Sequence, residues 1–221
     1  MLSMQMEPIA HIITDFPTKF GIPRQSGLTP DLTGRIIFEP PYRKEAIVKG
    51  LSSFSYIWVL WGFDKKGASA TVRPPRLGGK ETMGVFATRS PLRPNPIGLS
   101  SLRLLSVESG PELIVASPDM VSGTLIYDIK PYIPAYDCHS DASSGYLGAI
   151  DQTFLTVRDP LSLLSALPEE KRHGLLDALK QDPRPACQRD KDDTYGMSFC
   201  GYDVRFAVSG TTATITGCIP V

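Results

Sequence analysis

The sequence predicts a mainly β protein, an antiparallel β-barrel domain followed by a small α+β C-terminal domain. Gly and Pro, 19 and 20 of the 221 residues, separate short runs of β-branched and aromatic residues, as tight connections between strands do. No helical pattern of about 10–15 residues alternates with these runs, so a doubly wound parallel sheet is disfavoured. Closure into a barrel would remove the exposed edges of so many strands.

The barrel is expected in residues 1–139. Short apolar runs predict strands at 9–16, 35–38, 55–63, 84–87, 98–107, 112–117 and 124–129. A short helix over 44–51 should lead into the third of these strands.

The small, polar segment 140–149 is typical of a linker. Two helical pieces, 161–167 and 168–180, are predicted next, and Pro168 suits the first turn of the second. Apolar residues alternate over 202–208 and again over 213–217, around Ser209 and Gly210, which predicts a hairpin. We therefore expect residues 150–221 to form the α+β domain.

Composition limits the function classes. Lys plus Arg and Asp plus Glu both total 23, so broad electrostatic coating of nucleic acid is disfavoured, while a local basic site is not. The four cysteines form no C-x-x-C pair, and the start of the chain lacks a signal-peptide pattern. We expect free thiols, no metal site, no membrane span and a cytoplasmic protein.

Positive charge is concentrated between Arg73 and Arg103, where six basic residues accompany one acidic residue, Glu81. Five prolines in this stretch restrict the backbone, so the loop could hold an anionic group at low entropic cost. A Pro-rich surface loop with solvated arginines explains the pattern equally well.

A second stretch places Asp128 and Lys130 two residues apart on one face of a predicted strand. The spacing favours a structural ion pair, with a role in a site as the alternative.

Four motifs together resemble one family. They are Pro23-Arg24-Gln25-Ser26-Gly27-Leu28, the Thr71–Gly79 stretch, the Gly84–Ser100 stretch and Asp128-Ile129-Lys130-Pro131-Tyr132. In this order they resemble the TsaA-like (TrmO-type) tRNA methyltransferases, and Asp182-Pro183-Arg184-Pro185-Ala186 resembles the C-terminal domain of bacterial members. The resemblance implies a β-barrel enzyme that uses S-adenosyl-L-methionine to methylate N6 of threonylcarbamoyladenosine at position 37, in the tRNA anticodon loop. It also implies a homodimer whose partner subunit helps to line the site.

The resemblance assigns cofactor contacts to segments of this chain. The expected contacts are Pro23, Arg24, Gln25, Asp64, Lys65, Arg89, Leu99, Asp119, Met120, Val121 and Ser122. Ser122 and Leu125 depart from the family's usual Asp-Gly-Thr-Pro, which bears on any contact that needs a carboxylate at 122.

The reaction suggests further candidates. The attacking N6 nitrogen loses a proton, so a carboxylate base would help, and Asp128 and Asp137 are the candidates because they bracket the Ile-Lys-Pro-Tyr motif. Tyr132 and Tyr136 could stack on a splayed base, or could be ordinary half-buried packing. The expected tRNA contacts are Arg73, Arg76, Arg93, Lys130, Tyr132 and Tyr136, with Arg93 also a candidate for the cofactor carboxylate. The competing hypothesis is a non-catalytic barrel that binds a nucleotide or RNA.

Overall fold

A computed structural model describes residues 5–64, 67–77, 81–149, 154–185, 188–189 and 191–221, without the side chains of residues 76 and 149. Its strands are β1 Ala10–Ile13, β2 Thr33–Phe38, β3 Tyr56–Gly62, β4 Thr71–Val72, β5 Met83–Gly84, β6 Ile97–Glu108, β7 Glu112–Ala116, β8 Thr124–Pro131, β9 Thr156–Arg158, β10 Asp193–Phe199, β11 Tyr202–Ser209 and β12 Thr212–Pro220. The α-helices are α1 Glu45–Val48, α2 Pro134–Asp137 and α3 Glu169–Lys180. Short 3-10 helices lie at Pro40–Tyr42, Leu51–Ser53, Pro75–Leu77, Val85–Ala87, Gly145–Ala149 and Leu163–Ala166.

Six antiparallel strands close into a barrel in the order β1-β2-β7-β6-β3-β8, which confirms the predicted fold class. Alternation along each strand sends one set of side chains inward. Ile12, Ile36, Ile57, Leu113 and Ile126 are fully buried in this barrel core.

Two register shifts distort the barrel. Leu60 pairs with Asp128 but Trp61 pairs with Ile126, so Tyr127 is the extra residue of a bulge in β8. Bulges bend a strand and re-aim a side chain. A similar shift leaves Leu105 unpaired in β6.

The predicted strand over 84–87 was wrong. Only Met83 and Gly84 pair with β4, and Val85–Ala87 forms a 3-10 helix. The Thr88 backbone N–H bonds to the Val85 carbonyl within this Pro-rich stretch, so a tight turn takes the place of ladder pairing. The Leu163–Ala166 segment is likewise a 3-10 helix. Pro168 is the N-cap residue of α3, directly before the first turn of that helix.

The C-terminal sheet has the order β10-β11-β12-β9. The β11–β12 hairpin was predicted, whereas β10 was missed. Its signal was the alternation of Tyr195, Met197 and Phe199 ahead of a Cys200-Gly201 turn with positive φ at both residues.

A second hydrophobic core lies between this sheet and α3, and it includes residues from the long β1–β2 loop, residues 14–32. Phe16 and Leu32 from that loop are buried among Leu175, Phe199 and Phe206. The two cores are therefore not separated by position in the sequence. The described cysteines, Cys138, Cys200 and Cys218, are free, and no helix within the described ranges is long and apolar enough to cross a membrane.

Candidate functional site

Two neighbouring cavities open beside the barrel, and Pro91 belongs to the wall of both. The first, of about 780 Å3, is lined by Asp64 and Asp119 and by Lys19, whose ammonium is 3.4 Å from the Asp64 carboxylate, and we call it the acidic cavity. The second, of about 920 Å3, is lined by Arg24, Arg73 and Arg89, and we call it the arginine cavity. Both volumes are in the range of small-molecule sites.

The acidic cavity forms where several connections meet at one end of the barrel. Its walls come from the β1–β2 loop, the end of β3, the turn between β7 and β8, and β8 itself. They include Lys19, Ile22, Pro23, Trp61, Gly62, Phe63, Asp64, Pro91, Asp119, Met120, Val121, Ser122, Gly123, Thr124, Leu125 and Tyr127.

Asp119 is held by a hydrogen-bonded chain that starts inside the barrel. The indole Nε1–H of Trp61 donates to Ser100 Oγ at 2.9 Å, and the Ser100 hydroxyl donates to Asp119 Oδ1 at 2.7 Å. Burial raises the pKa of Asp119, and hydrogen bonds from Ser100 and the Ser26 backbone, with the charge of Arg89, offset this only partly. A half-buried carboxylate with a perturbed pKa in a cleft is typical of a functional site.

The turn that follows Asp119 is fixed to the β1–β2 loop. The Ser122 backbone N–H bonds to the Phe16 carbonyl at 2.8 Å, and the Thr14 hydroxyl donates to the Met120 carbonyl at 3.0 Å. Ser122, which departs from the family's usual Asp, accepts a hydrogen bond from the Thr14 backbone N–H at 3.3 Å. The cavity floor and the loop thus form one bonded unit.

The arginine cavity combines positive charge with aromatic surface. No acidic residue occurs among the described residues that line it, and Phe86 and Tyr146 add ring faces. Arg89 donates to the side-chain oxygen of Gln25. Such a surface suits an anionic ligand that also carries a planar ring.

Comparison with known proteins identifies the family. Residues 11–138 match the tRNA-methyltransferase O N-terminal domain, and residues 161–221 match the TrmO C-terminal domain. The chain belongs to the tRNA-methyltransferase O family.

The curated relatives and solved structures agree with this assignment. A tRNA (adenine(37)-N6)-methyltransferase of Escherichia coli is 38% identical, with 95% of each chain covered. A putative S-adenosylmethionine-dependent methyltransferase of Pseudomonas aeruginosa is 34% identical, with 93% of each chain covered. A crystal structure of TrmO from the same species superposes with a TM-score of 0.82 at 28% identity, covering 100% of this chain and 99% of the other.

Most of the cofactor contacts expected from the resemblance to the TrmO family lie around the two cavities. Pro23, Asp64, Asp119, Met120, Val121 and Ser122 line the acidic cavity, and Arg24, Gln25 and Arg89 line the arginine cavity. Leu99 lines neither, because its side chain points out of the barrel and is 51% exposed. Lys65 lies outside the described residues.

The expected tRNA contacts are more scattered. Arg73 lines the arginine cavity, and the side chain of Arg76 lies outside the described part of the chain. Arg93 lines neither cavity and donates instead to the Thr88 carbonyl at 3.1 Å, which holds the loop. Of the other three, Lys130 lies on the outer side of β8, Tyr132 directly follows β8, and Tyr136 lies on α2.

Neither candidate base is among the described residues that line the acidic or the arginine cavity. Asp128 forms an ion pair with Lys130 at 2.7 Å, as the spacing favoured, and its other oxygen accepts from the Ile129 backbone N–H. Asp137 accepts from the Ile133 backbone N–H at 2.7 Å at the start of α2. Their catalytic role stays a prediction.

Several site residues were missed from the sequence. Trp61 and Ser100 were assigned only to strands, and Tyr127 faces the acidic cavity because of the bulge in β8. Tyr146 and Leu147 fall in the predicted linker, yet they line the arginine cavity. The aromatic in an otherwise small, polar segment was the available signal.

One further group of potential metal ligands, Asp31, His173 and Asp177, lies within 4.8 Å and lines neither cavity. His173 bonds to Asp31, and Asp177 is already paired with Lys180 at 2.9 Å. We read this group as a contact between the β1–β2 loop and α3.

Proposed function

We propose that this protein transfers a methyl group from S-adenosylmethionine to N6 of adenosine 37 in tRNA, with the threonylcarbamoylated base as its substrate. The adjacency of an acidic and a cationic cavity across Pro91 carries this proposal. The relatives named tRNA (adenine(37)-N6)-methyltransferase support it, and they do not favour the non-catalytic alternative.

The charges of the two cavities suit different ligands. S-adenosylmethionine carries a sulfonium and an ammonium, which match the carboxylate of Asp119 in the acidic cavity, whereas the fully exposed Asp64 pairs with Lys19 at 3.4 Å. The tRNA backbone and the threonyl carboxylate are anionic, and they match Arg24, Arg73 and Arg89. We therefore assign the cofactor to the acidic cavity and the anticodon-loop nucleotide to the arginine cavity.

The residues act by binding and alignment. The cofactor supplies an electrophilic methyl group, so the protein must place the nitrogen in line with it and exclude water. The Trp61–Ser100–Asp119 chain would fix one end of the cofactor, and Pro91 would stand between the two ligands. Phe86 is exposed at the arginine cavity and could stack on a splayed base.

We further propose a homodimer, which would explain why some of the expected site residues line neither the acidic nor the arginine cavity. Leu99, Leu60 and Asp128 form one row across the outer face of β6, β3 and β8. Tyr136 is 77% exposed beyond the end of β8. A second copy seated on this outer face would bring these side chains towards its own cavities.

Leu99→Arg tests the dimer by sedimentation, with Leu105→Arg as the matched control because Leu105 is also exposed and lies at the β6 bulge. We expect the first variant to sediment as a monomer and the second to behave like the wild type. A wild-type monomer at micromolar concentration would refute the dimer.

A site that acts on tRNA also implies that the protein works in the cytoplasm.

Purified protein with labelled S-adenosylmethionine tests the reaction. It should methylate tRNA that carries the threonylcarbamoyl group, and nucleoside mass spectrometry should place the methyl group on N6. No transfer to either modified or unmodified tRNA would refute the proposal, and equal transfer to both would refute the substrate assignment.

Arg73→Ala tests the arginine cavity. Arg35→Ala is its control, because Arg35 pairs with Glu112 on the barrel away from both cavities. The affinity for tRNA falls as salt rises, and we expect the steepness of log affinity against log salt to decrease by about one in Arg73→Ala only. An unchanged slope would show that Arg73 does not contact the tRNA phosphates.

A further inference from the structure

The C-terminal domain contacts the β1–β2 loop, residues 14–32, along most of its length. That loop carries Pro23, which lines the acidic cavity, and Arg24 and Gln25, which line the arginine cavity. We propose that the C-terminal domain positions this loop for cofactor binding, with Lys171 of α3 and Gln181, directly after α3, as positioning residues. The choice of S-adenosylmethionine as the ligand rests on the proposed function, and the positioning role rests on the contacts between the loop and the C-terminal domain.

The first anchor lies at the start of the loop. Lys171 Nζ is 2.8 Å from Asp15 Oδ2, and the two side chains are only 20% and 13% exposed. The Cys200 backbone N–H bonds to the Asp15 carbonyl at 2.8 Å. Next to it, the Phe16 carbonyl accepts from Ser122 in the acidic cavity, so this anchor reaches the cavity floor through one residue.

The second anchor is hydrophobic and lies just before Pro23. Phe20 packs against Tyr195 and Phe206, with ring centroids 6.4 and 6.5 Å apart. Gly21 has a φ of +89°, and a Cβ there would stand 2.3 Å from Met197 Cε, so the backbone itself touches β10. Ile22 both packs on the C-terminal core and lines the acidic cavity.

The third anchor joins two motifs far apart in sequence. Arg24 Nη2 donates to the carbonyl of Asp182 at 3.0 Å, and the Asp182 carboxylate is held by the buried Arg184 at 2.8 Å. The Gln181 side-chain amide donates to the Leu28 carbonyl at 3.1 Å. The loop is thus bonded to the C-terminal domain on both sides of Gln25 and Ser26.

These anchors would act on the cavity through the loop backbone. The Ser26 backbone bonds to Asp119, and the Gln25 side chain meets Arg89. A loop held in its binding conformation loses less entropy when the ligand arrives, so removal of an anchor should weaken binding. Neither Lys171 nor Gln181 lines the acidic or the arginine cavity, so we attribute an effect of either residue on binding to the loop that both contact.

The test measures S-adenosylmethionine binding by calorimetry in Lys171→Gln, Gln181→Ala and Lys171→Arg. We expect Kd to rise about fivefold in each of the first two, as one lost hydrogen bond implies. Lys171→Arg keeps the ion pair with Asp15 and should restore wild-type binding. Saturating cofactor should return kcat to within about twofold.

The matched control is Arg205→Gln, which removes an ion pair with Asp203 on the face of β11 that points away from the C-terminal core. Hydrogen exchange should show faster amide exchange in residues 19–28 in Lys171→Gln and Gln181→Ala and no change in the control. A merely structural role would lower Tm and leave both the Kd of the folded protein and this local exchange unchanged.

The outcomes separate the two proposals. Unchanged Kd and unchanged exchange in both Lys171→Gln and Gln181→Ala would overturn the positioning role while the methyltransferase assignment stands. A wild-type protein without cofactor binding would refute the proposed function, and faster exchange in residues 19–28 would still support the loop contacts. If Lys171→Gln fails to fold, Gln181→Ala decides the question.

Discussion

Gly98→Ala should disturb both the barrel and the acidic cavity. Gly98 faces into the barrel on β6 and pairs with Trp61 on β3. A Cβ at this position would lie 2.3 Å from Trp61 Cε2, while ordinary contacts begin at 3.4 Å, so the indole must move by at least 1.1 Å. Phe63, with its ring centroid 4.3 Å from that of Trp61, limits the direction of the movement.

The expected cost follows from this displacement. Forcing an extra methyl group into a packed core costs about 1–3 kcal/mol. The shift would also stretch the 2.9 Å bond from Trp61 to Ser100, which costs about 1 kcal/mol. We therefore expect the free energy of unfolding to fall by about 2–4 kcal/mol. The Kd for S-adenosylmethionine should rise roughly tenfold, because Ser100 no longer orients Asp119.

Urea titration followed by tryptophan fluorescence measures the first effect, and calorimetry measures the second. Gly84→Ala is the control, since a Cβ there meets nothing within 4 Å and its φ is −56°. The control should change stability by less than about 0.5 kcal/mol. A loss below about 1 kcal/mol in Gly98→Ala, with unchanged cofactor affinity, would refute the steric argument.

Three further predictions concern other parts of the molecule. Asp119→Asn should raise Tm at pH 7, because the raised pKa of Asp119 in the folded state makes the stability of the wild type fall as pH rises above the unfolded value of 3.8. Calorimetric scans should show the Tm difference between variant and wild type shrinking towards pH 4. A pH-independent Tm difference would contradict this. Phe16→Ala should cost about 3–5 kcal/mol in urea unfolding, since Phe16 is 1% exposed and packs on Phe199; a loss under about 1 kcal/mol would mean that the loop is not part of the C-terminal core. Asp128→Asn and Asp137→Asn should each leave the fold intact, and turnover at saturating cofactor should fall at least about 100-fold in whichever one removes the base; wild-type rates in both would eliminate the pair.

The barrel was largely predictable because its signals are local. Alternating apolar residues between Gly and Pro located six strands, and closure of the sheet followed from the lack of covering helices. The predicted strand over 84–87 was wrong because the same kind of apolar run can form a tight turn when prolines and glycines surround it.

The site was predictable only as segments. The family resemblance assigned cofactor contacts to the Pro23–Gln25 loop and the Asp119–Ser122 turn, which line the cavities. It did not show that Leu99 and Asp128 would point outwards. The side-chain face of a strand residue depends on register, and register along β8 changes at the Tyr127 bulge.

Local patterns and motifs predicted the β architecture, the family and most of the segments around the two cavities, but not the contribution of Tyr146 and Leu147. Tertiary structure alone decided that Arg24 meets the carbonyl of Asp182, that Trp61 supports Asp119 through Ser100, and that the β1–β2 loop lies in the C-terminal core. The physical reason is the range of the interactions. Propensity and alternation act between near neighbours in the chain, whereas these contacts exist only after the barrel closes and the C-terminal sheet packs against its loop.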